Sequence, residues 1–137
     1  MGEPKTQGAT ERTARGAGVL VVEDDAVNRQ VLVTMLKRLG CRVDEAADGA
    51  QAVERALANA YDLVLMDWQL PGMDGLQATA AIRMGEGRRR RRVPIVAVTA
   101  RLLEGDRERC LKAGLDDFLQ KPFTFEDLKA LVADWVR

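Results

Sequence analysis

The sequence predicts a doubly wound α/β domain, in which five parallel strands alternate with five helices, and three observations predict it. Short apolar runs alternate along the chain with segments of helical period. Most of these runs are continuously apolar, as strands covered on both faces must be, and do not alternate with polar residues. Four of the five then end abruptly in polar side chains, as strands do when their carboxyl ends line a crevice.

Each element has its own warrant. Residues 1–17 carry hardly any large apolar side chain and cannot bury enough surface to offset their ordering entropy, so they read as a flexible tail or linker. Residues 18–137, 120 in number (137 − 17), have single-domain length. Residues 19–22 form the first strand. Val27, Val31, Leu32, Met35, Leu36 and Leu39 repeat at helical spacing, and Gly40 supplies a left-handed stop. Residues 41–46 are a more polar second strand, suited to an edge. Ala52, Val53, Ala56, Leu57 and Ala60 mark the second helix, residues 63–66 the third strand, and Pro71-Gly-Met-Asp-Gly75 a loop of turn residues. A third helix covers residues 76–84, and residues 95–98 are the fourth strand. Residues 104–113 form a helix with a weak apolar stripe, ended by Gly114. Residues 117–120 are the fifth strand, and Leu128, Leu131, Val132 and Trp135 define the last helix. Right-handed crossovers then place helices on both faces of the sheet.

Composition narrows the function. Lys+Arg and Asp+Glu both total 21, so no global charge favours nucleic acid or a membrane surface. The run Arg88-Arg-Arg-Arg-Arg92 falls in a loop without interleaved aromatics and reads as a solvated loop. No apolar run is long enough to span a bilayer. The two cysteines, Cys41 and Cys110, lie far apart and read as reduced, half-buried thiols of a cytoplasmic protein. Histidine is absent, which removes histidine-based general base catalysis and phosphohistidine formation within this chain. Gly-x-x-x-x-Gly-Lys-Ser/Thr is absent too, which excludes a P-loop enzyme.

The strand ends carry the chemistry. Glu23 and Asp24 follow the first strand, Asp67 the third, Thr99 the fourth and Lys121 the fifth. Three carboxylates in one crevice repel one another unless a hard cation joins them. The pattern implies a divalent metal, phosphoryl chemistry and a switch. Each residue also has an ordinary reading. An acid after a strand is commonly a helix cap, as Asp25 is expected to be, Thr99 alone would suit a cap, and Lys121 alone would be solvated.

Taken together, Glu23-Asp24, Asp67, Pro71-Gly-Met-Asp-Gly75, Thr99-Ala100 and Lys121-Pro122 resemble the receiver domain of two-component response regulators, across residues 18–137. The resemblance implies the flavodoxin-like strand order 2-1-3-4-5, which sets the first and third strands side by side. It implies Asp67 as nucleophile toward a partner's phosphohistidine. Mg²⁺, or another divalent cation such as Mn²⁺, is expected on Asp24, Asp67 and the Gln69 carbonyl, with Glu23 acting through water. Lys121 and Thr99 are expected to hold phosphoryl oxygens. Also implied are a cis Lys121–Pro122 bond, Phe118 as the aromatic that moves with Thr99, and a histidine kinase or histidine phosphotransfer domain as donor. The domain itself is expected to contact neither nucleic acid nor membrane and to be a monomer or weak homodimer. Its catalysis would be confined to its own phosphorylation and dephosphorylation. Gln69 and Arg101, two residues beyond Asp67 and Thr99, are expected to slow hydrolysis of the phosphoryl group.

Two other readings stand beside this one. A binding-only pseudo-receiver would lack a site residue, and none is missing. An aspartyl phosphatase carries a second acid two residues after its nucleophile, where this chain has Gln69. The Glu-Asp-Asp-Ala-Val-Asn and Leu-Pro-Gly-Met-Asp-Gly runs are similar to hybrid-kinase receivers, with a stand-alone regulator as the alternative.

Overall fold

The computed structural model describes residues 15–87, 91–100 and 104–136. Among them are five strands, β1 (Gly18–Val22), β2 (Arg42–Ala46), β3 (Leu63–Asp67), β4 (Ile95–Thr99) and β5 (Asp117–Gln120). The helices are α1 (Ala26–Arg38), α2 (Gly49–Ala58), α3 (Gly75–Glu86), α4 (Asp106–Ala113) and α5 (Phe125–Trp135). The strands form one parallel sheet in the order β2-β1-β3-β4-β5, as expected. Among the described residues, no helix is long and apolar enough to cross a membrane.

The continuous apolar runs are explained by two cores, one on each face. Val19, Val21, Leu63, Leu65, Val96 and Val98 point to one side, against Leu32, Val33 and Leu36 of α1 and Leu128, Leu131 and Val132 of α5. The alternate residues Leu20, Val22, Val64, Met66, Ile95 and Ala97 face α2, α3 and α4. Successive strand side chains take opposite faces, so every residue of β1, β3 and β4 is buried. Edge strand β2 is mostly exposed, which its polar sequence anticipated.

Several expectations change in detail. Val27 and Val31, read as part of the buried stripe of α1, are 72% and 47% exposed, while Val33 lies in the core. The apolar arc of α1 is wider than the strip of sheet it covers. Ala60 lies beyond the end of α2 and is exposed. Helix α4 starts at Asp106, two residues later than expected, and Cys110 is its one buried residue. Cys41 and Cys110 are buried, Cys110 completely, and burial pushes both thiols up to about 11, so neither is a reactive thiolate at neutral pH. Ahead of β1, the Gly16 N–H donates to the Gly40 carbonyl at 2.7 Å and Ala17 is buried. Gly40 adopts φ +89, the left-handed stop anticipated after α1.

The lower end of the sheet is closed by charge. Arg83 of α3 reaches Asp116 at 2.8 Å, Glu86 at 2.9 Å and the carbonyls of Gly114 and Val93 at 3.0 and 2.7 Å. Arg92 adds a second bond to Asp116 at 2.9 Å, so this member of the arginine run is committed within the fold. Arg88 to Arg90 lie outside the described residues.

Candidate functional site

The site is built where strands stop. β1 and β3 are neighbours, so the residues that leave their carboxyl ends meet at the point where chain connections diverge to opposite sides. One carboxylate oxygen each from Glu23, Asp24 and Asp67 lies within 4.8 Å of the others. Glu23 and Asp67 are buried, at 2% and 9% exposure, and Asp24 is exposed. Asp25 accepts from the N–H groups of Val27 and Asn28, which makes it the cap of α1 and leaves Asp24 to face the crevice.

Lys121 is not a solvated lysine. Its ammonium lies 3.0 Å from Glu23 Oε1 and so enters the acidic cluster from β5. The Lys121–Pro122 bond is cis, as expected, and the Lys121 N–H donates to the Thr99 carbonyl at 2.8 Å. Thr99 is buried at the end of β4, one residue beyond Val98, which pairs with Asp67 across β3 and β4. The Gln69 N–H donates to Asp67 Oδ1 at 3.1 Å, while its side chain is exposed. Arg101 lies outside the described residues.

The electrostatics are those of a cluster with one cation too few. Burial, then the hydrogen bond that the protonated carboxyl donates to Glu23 and the Glu23 charge, raise the Asp67 carboxyl from 3.8 to about 7. Burial acts upward on Glu23 as well. Hydrogen bonds from Asp67, Lys121 and the Asp25 N–H outweigh it and hold Glu23 below the ordinary carboxylate range. Without a metal the Glu23–Asp67 pair therefore retains a proton, carried on Asp67, near neutral pH. An all-oxygen donor set with surplus negative charge suits a hard divalent cation that keeps part of its water.

Two glycines allow close backbone approaches near the crevice, and only Gly75 was marked in the sequence, as a turn residue. A Cβ on Gly75, the first residue of α3, would lie 2.6 Å from the Asp67 carbonyl oxygen and 3.0 Å from Trp68 Cα. The Gly75 N–H also donates to the Trp68 carbonyl at 2.9 Å, so α3 begins directly against the end of β3. Gly49 plays the matching part for Met73, whose carbonyl would lie 2.5 Å from an added Cβ. Gly75→Ala is expected to cost about 1–3 kcal/mol, because the clash is with backbone that cannot swing aside. Urea denaturation of the two proteins measures it, and an unchanged midpoint would contradict the close approach.

Known proteins share both the architecture and the sequence. The sequence profile of the response regulator receiver domain matches residues 19–133. The chain belongs to the receiver domain family. A hybrid signal transduction histidine kinase G of Dictyostelium discoideum is 41% identical over 116 residues, which is 83% of this receiver and 3% of that kinase. The receiver thus spans a small fraction of the length of the curated relatives it matches. Among solved structures, the receiver domain of sensor histidine kinase PA1611 from Pseudomonas aeruginosa PAO1 is 49% identical, with a TM-score of 0.80. It matches 88% of this chain and 98% of its own, and it holds a magnesium ion in its active-site cleft. The Saccharomyces cerevisiae Ssk1 receiver, crystallised with the histidine phosphotransfer protein Ypd1, is 31% identical with a TM-score of 0.81, over 89% of this chain and 90% of that one.

Proposed function

We propose that this receiver takes a phosphoryl group from a partner's phosphohistidine onto Asp67, with Mg²⁺, and changes conformation in response. The observation that carries the reading is the convergence of Glu23, Asp24 and Asp67 with the Lys121 ammonium at adjoining strand ends. Asp24, Asp67 and the Gln69 carbonyl would hold the cation, with Glu23 behind a water. When bound, the cation supplies charge neutralisation to phosphoryl oxygens. Asp67, relieved of its proton, attacks phosphorus in line and displaces the donor imidazole, giving an acyl phosphate. The Lys121 ammonium shifts from Glu23 toward a phosphoryl oxygen, and the Thr99 hydroxyl donates to another. These contacts exist only when the phosphoryl group is present, which is the differential binding a conformational shift needs.

Phe118 on β5 supports the switch. Its ring is half-buried and lies under the Arg107 guanidinium of α4, 5.0 Å from centroid to carbon. Helix α4 has one buried residue and a glycine N-cap without a side-chain hydrogen bond, so it is the least anchored of the helices.

Donor identity follows from the chemistry. The chain has no histidine, so the phosphohistidine belongs to a kinase or phosphotransfer domain elsewhere. Hybrid histidine kinases among the relatives favour such a kinase as the parent protein over a stand-alone regulator, acting in the cytoplasm. Neither nucleic acid nor membrane binding is part of the reading, and the domain works as a monomer or weak homodimer.

Trp68, adjacent to Asp67, offers the test. Titrating Mg²⁺ is expected to change Trp68 emission, and subsequent beryllofluoride, a phosphoryl mimic, to change it again. Asp24→Ala is expected to abolish the Mg²⁺ response. An Asp24→Ala titration that overlays the wild type would overturn the metal assignment.

A further inference from the structure

We propose that Arg29 is a positioning residue for the acidic loop, holding the peptide between Glu23 and Asp24 so that the Asp24 carboxylate faces Asp67. The inference rests on the metal-dependent reading above. Arg29 lies on the first turn of α1, with its side chain 21% exposed. One guanidinium nitrogen donates to the Glu23 carbonyl at 2.7 Å, and Nε donates to Glu45 Oε1 on β2 at 2.9 Å. The guanidinium thus bridges the edge strand and the loop.

The bonded carbonyl belongs to the peptide that leads into Asp24, so this bond fixes the plane of that peptide. On the other side of Glu23, its N–H donates to the Ala46 carbonyl at 3.0 Å. Beyond Asp24, the Asp25 N–H reaches Glu23 Oε2 at 3.2 Å and the Asp25 side chain caps α1. Asp24 has no such tether. Among the described residues, no hydrogen bond or ion pair reaches its side chain. Its aim is inherited from the backbone on either side, and Arg29, on α1 and braced by Glu45 of β2, is the side chain that grips this backbone.

Charge and position make opposite demands here. A guanidinium beside a cation site repels the cation, so removing it should tighten divalent binding if charge alone mattered. If Arg29 positions Asp24, removing it should weaken binding. The fork matters too, since arginine reaches the Glu23 carbonyl and Glu45 from two separate nitrogens in a fixed plane, whereas a lysine ammonium presents its donors from a single point.

The experiment titrates Mg²⁺ into wild type, Arg29→Met and Arg29→Lys, following Trp68 emission with Trp68→Phe as the blank. Arg29→Met keeps the stem and loses the donors, and its Kd is expected to rise roughly tenfold, with Arg29→Lys between it and wild type. Phosphorylation by acetyl phosphate should slow in Arg29→Met at limiting Mg²⁺, and the shortfall should close as Mg²⁺ is raised. Equal or tighter binding by Arg29→Met overturns the proposal. Should Arg29→Met lose its far-ultraviolet helical signal, Arg29→Lys decides alone: weaker binding supports the proposal and equal or tighter binding overturns it. A wild type without any Mg²⁺ response overturns the metal reading and this inference with it. A wild-type response matched by Arg29→Met overturns this inference alone.

Discussion

Asp67→Asn is expected to stabilise the metal-free protein at pH 8 and to leave its stability unchanged near pH 3. The Asp67 carboxyl titrates at about 7 in the fold and near 3.8 in the unfolded chain. Below the lower value both states hold the proton and nothing is lost. As pH rises from about 4 to 7 the unfolded chain sheds a proton that the folded one keeps, so stability falls. Above 7 both are ionised, and the fold carries the full cost of a buried second carboxylate. Asparagine does not titrate, and its amide can still donate to Glu23. A shift of this size corresponds to about 4 kcal/mol, and because Glu23 shares the proton we expect about 2 kcal/mol. That is about 5–10 °C in melting temperature for a domain of this length. Thermal melts in chelator from pH 3 to pH 8 measure it. Parallel wild-type and variant profiles would show that Asp67 carries no such burden. Saturating Mg²⁺ should close the gap, since the cation binds only the native wild-type cluster.

Lys121→Met is expected to act in the opposite direction and on both stability and rate. Glu23 is almost wholly buried, and its ammonium partner at 3.0 Å is lost in the variant. Breaking a fully buried pair costs about 3–5 kcal/mol. The Lys121 side chain is 27% exposed, so solvent screening reduces the expected loss to about 1–2 kcal/mol. The larger effect is on chemistry. A cation aimed at developing phosphoryl charge is worth about a hundredfold in rate when removed, by analogy with other preorganised donors. Single-turnover phosphorylation by acetyl phosphate at saturating Mg²⁺ measures this. A rate within about twofold of wild type would leave Lys121 with a structural part only.

The sheet and the site were legible for one reason: a parallel strand buried on both faces must stay apolar to its last residue, so its end is sharp. That sharpness marked Glu23, Asp24, Asp67 and Thr99 without any knowledge of neighbours, whereas Lys121 follows the partly buried edge strand β5 and was picked out with the rest of the set. The strand order and the cis Lys121–Pro122 bond came from the family resemblance and agree with the structure. What sequence alone missed depends on what lies opposite. Val27 and Val31 have helical spacing, yet exposure is decided by how far the sheet extends beneath α1. Gly75 looked like one more turn glycine, whereas its role is the 2.6 Å clearance to the Asp67 carbonyl. The contact of Lys121 with Glu23 was not read from the sequence either, because the two lie at opposite ends of the domain's chain. Arg29, Arg83 and Asp116 carried no signal in the sequence, because the carbonyls and acids they join are distant along the chain.

Phosphoryl acceptance at Asp67 is tested most directly by intact mass spectrometry of wild type and Asp67→Asn after incubation with acetyl phosphate, with and without Mg²⁺. The wild type is expected to gain one base-labile phosphoryl group, only with Mg²⁺ present, and peptide mapping should locate it on Asp67. An Asp67→Asn protein that gains the same group to the same extent would contradict the assignment.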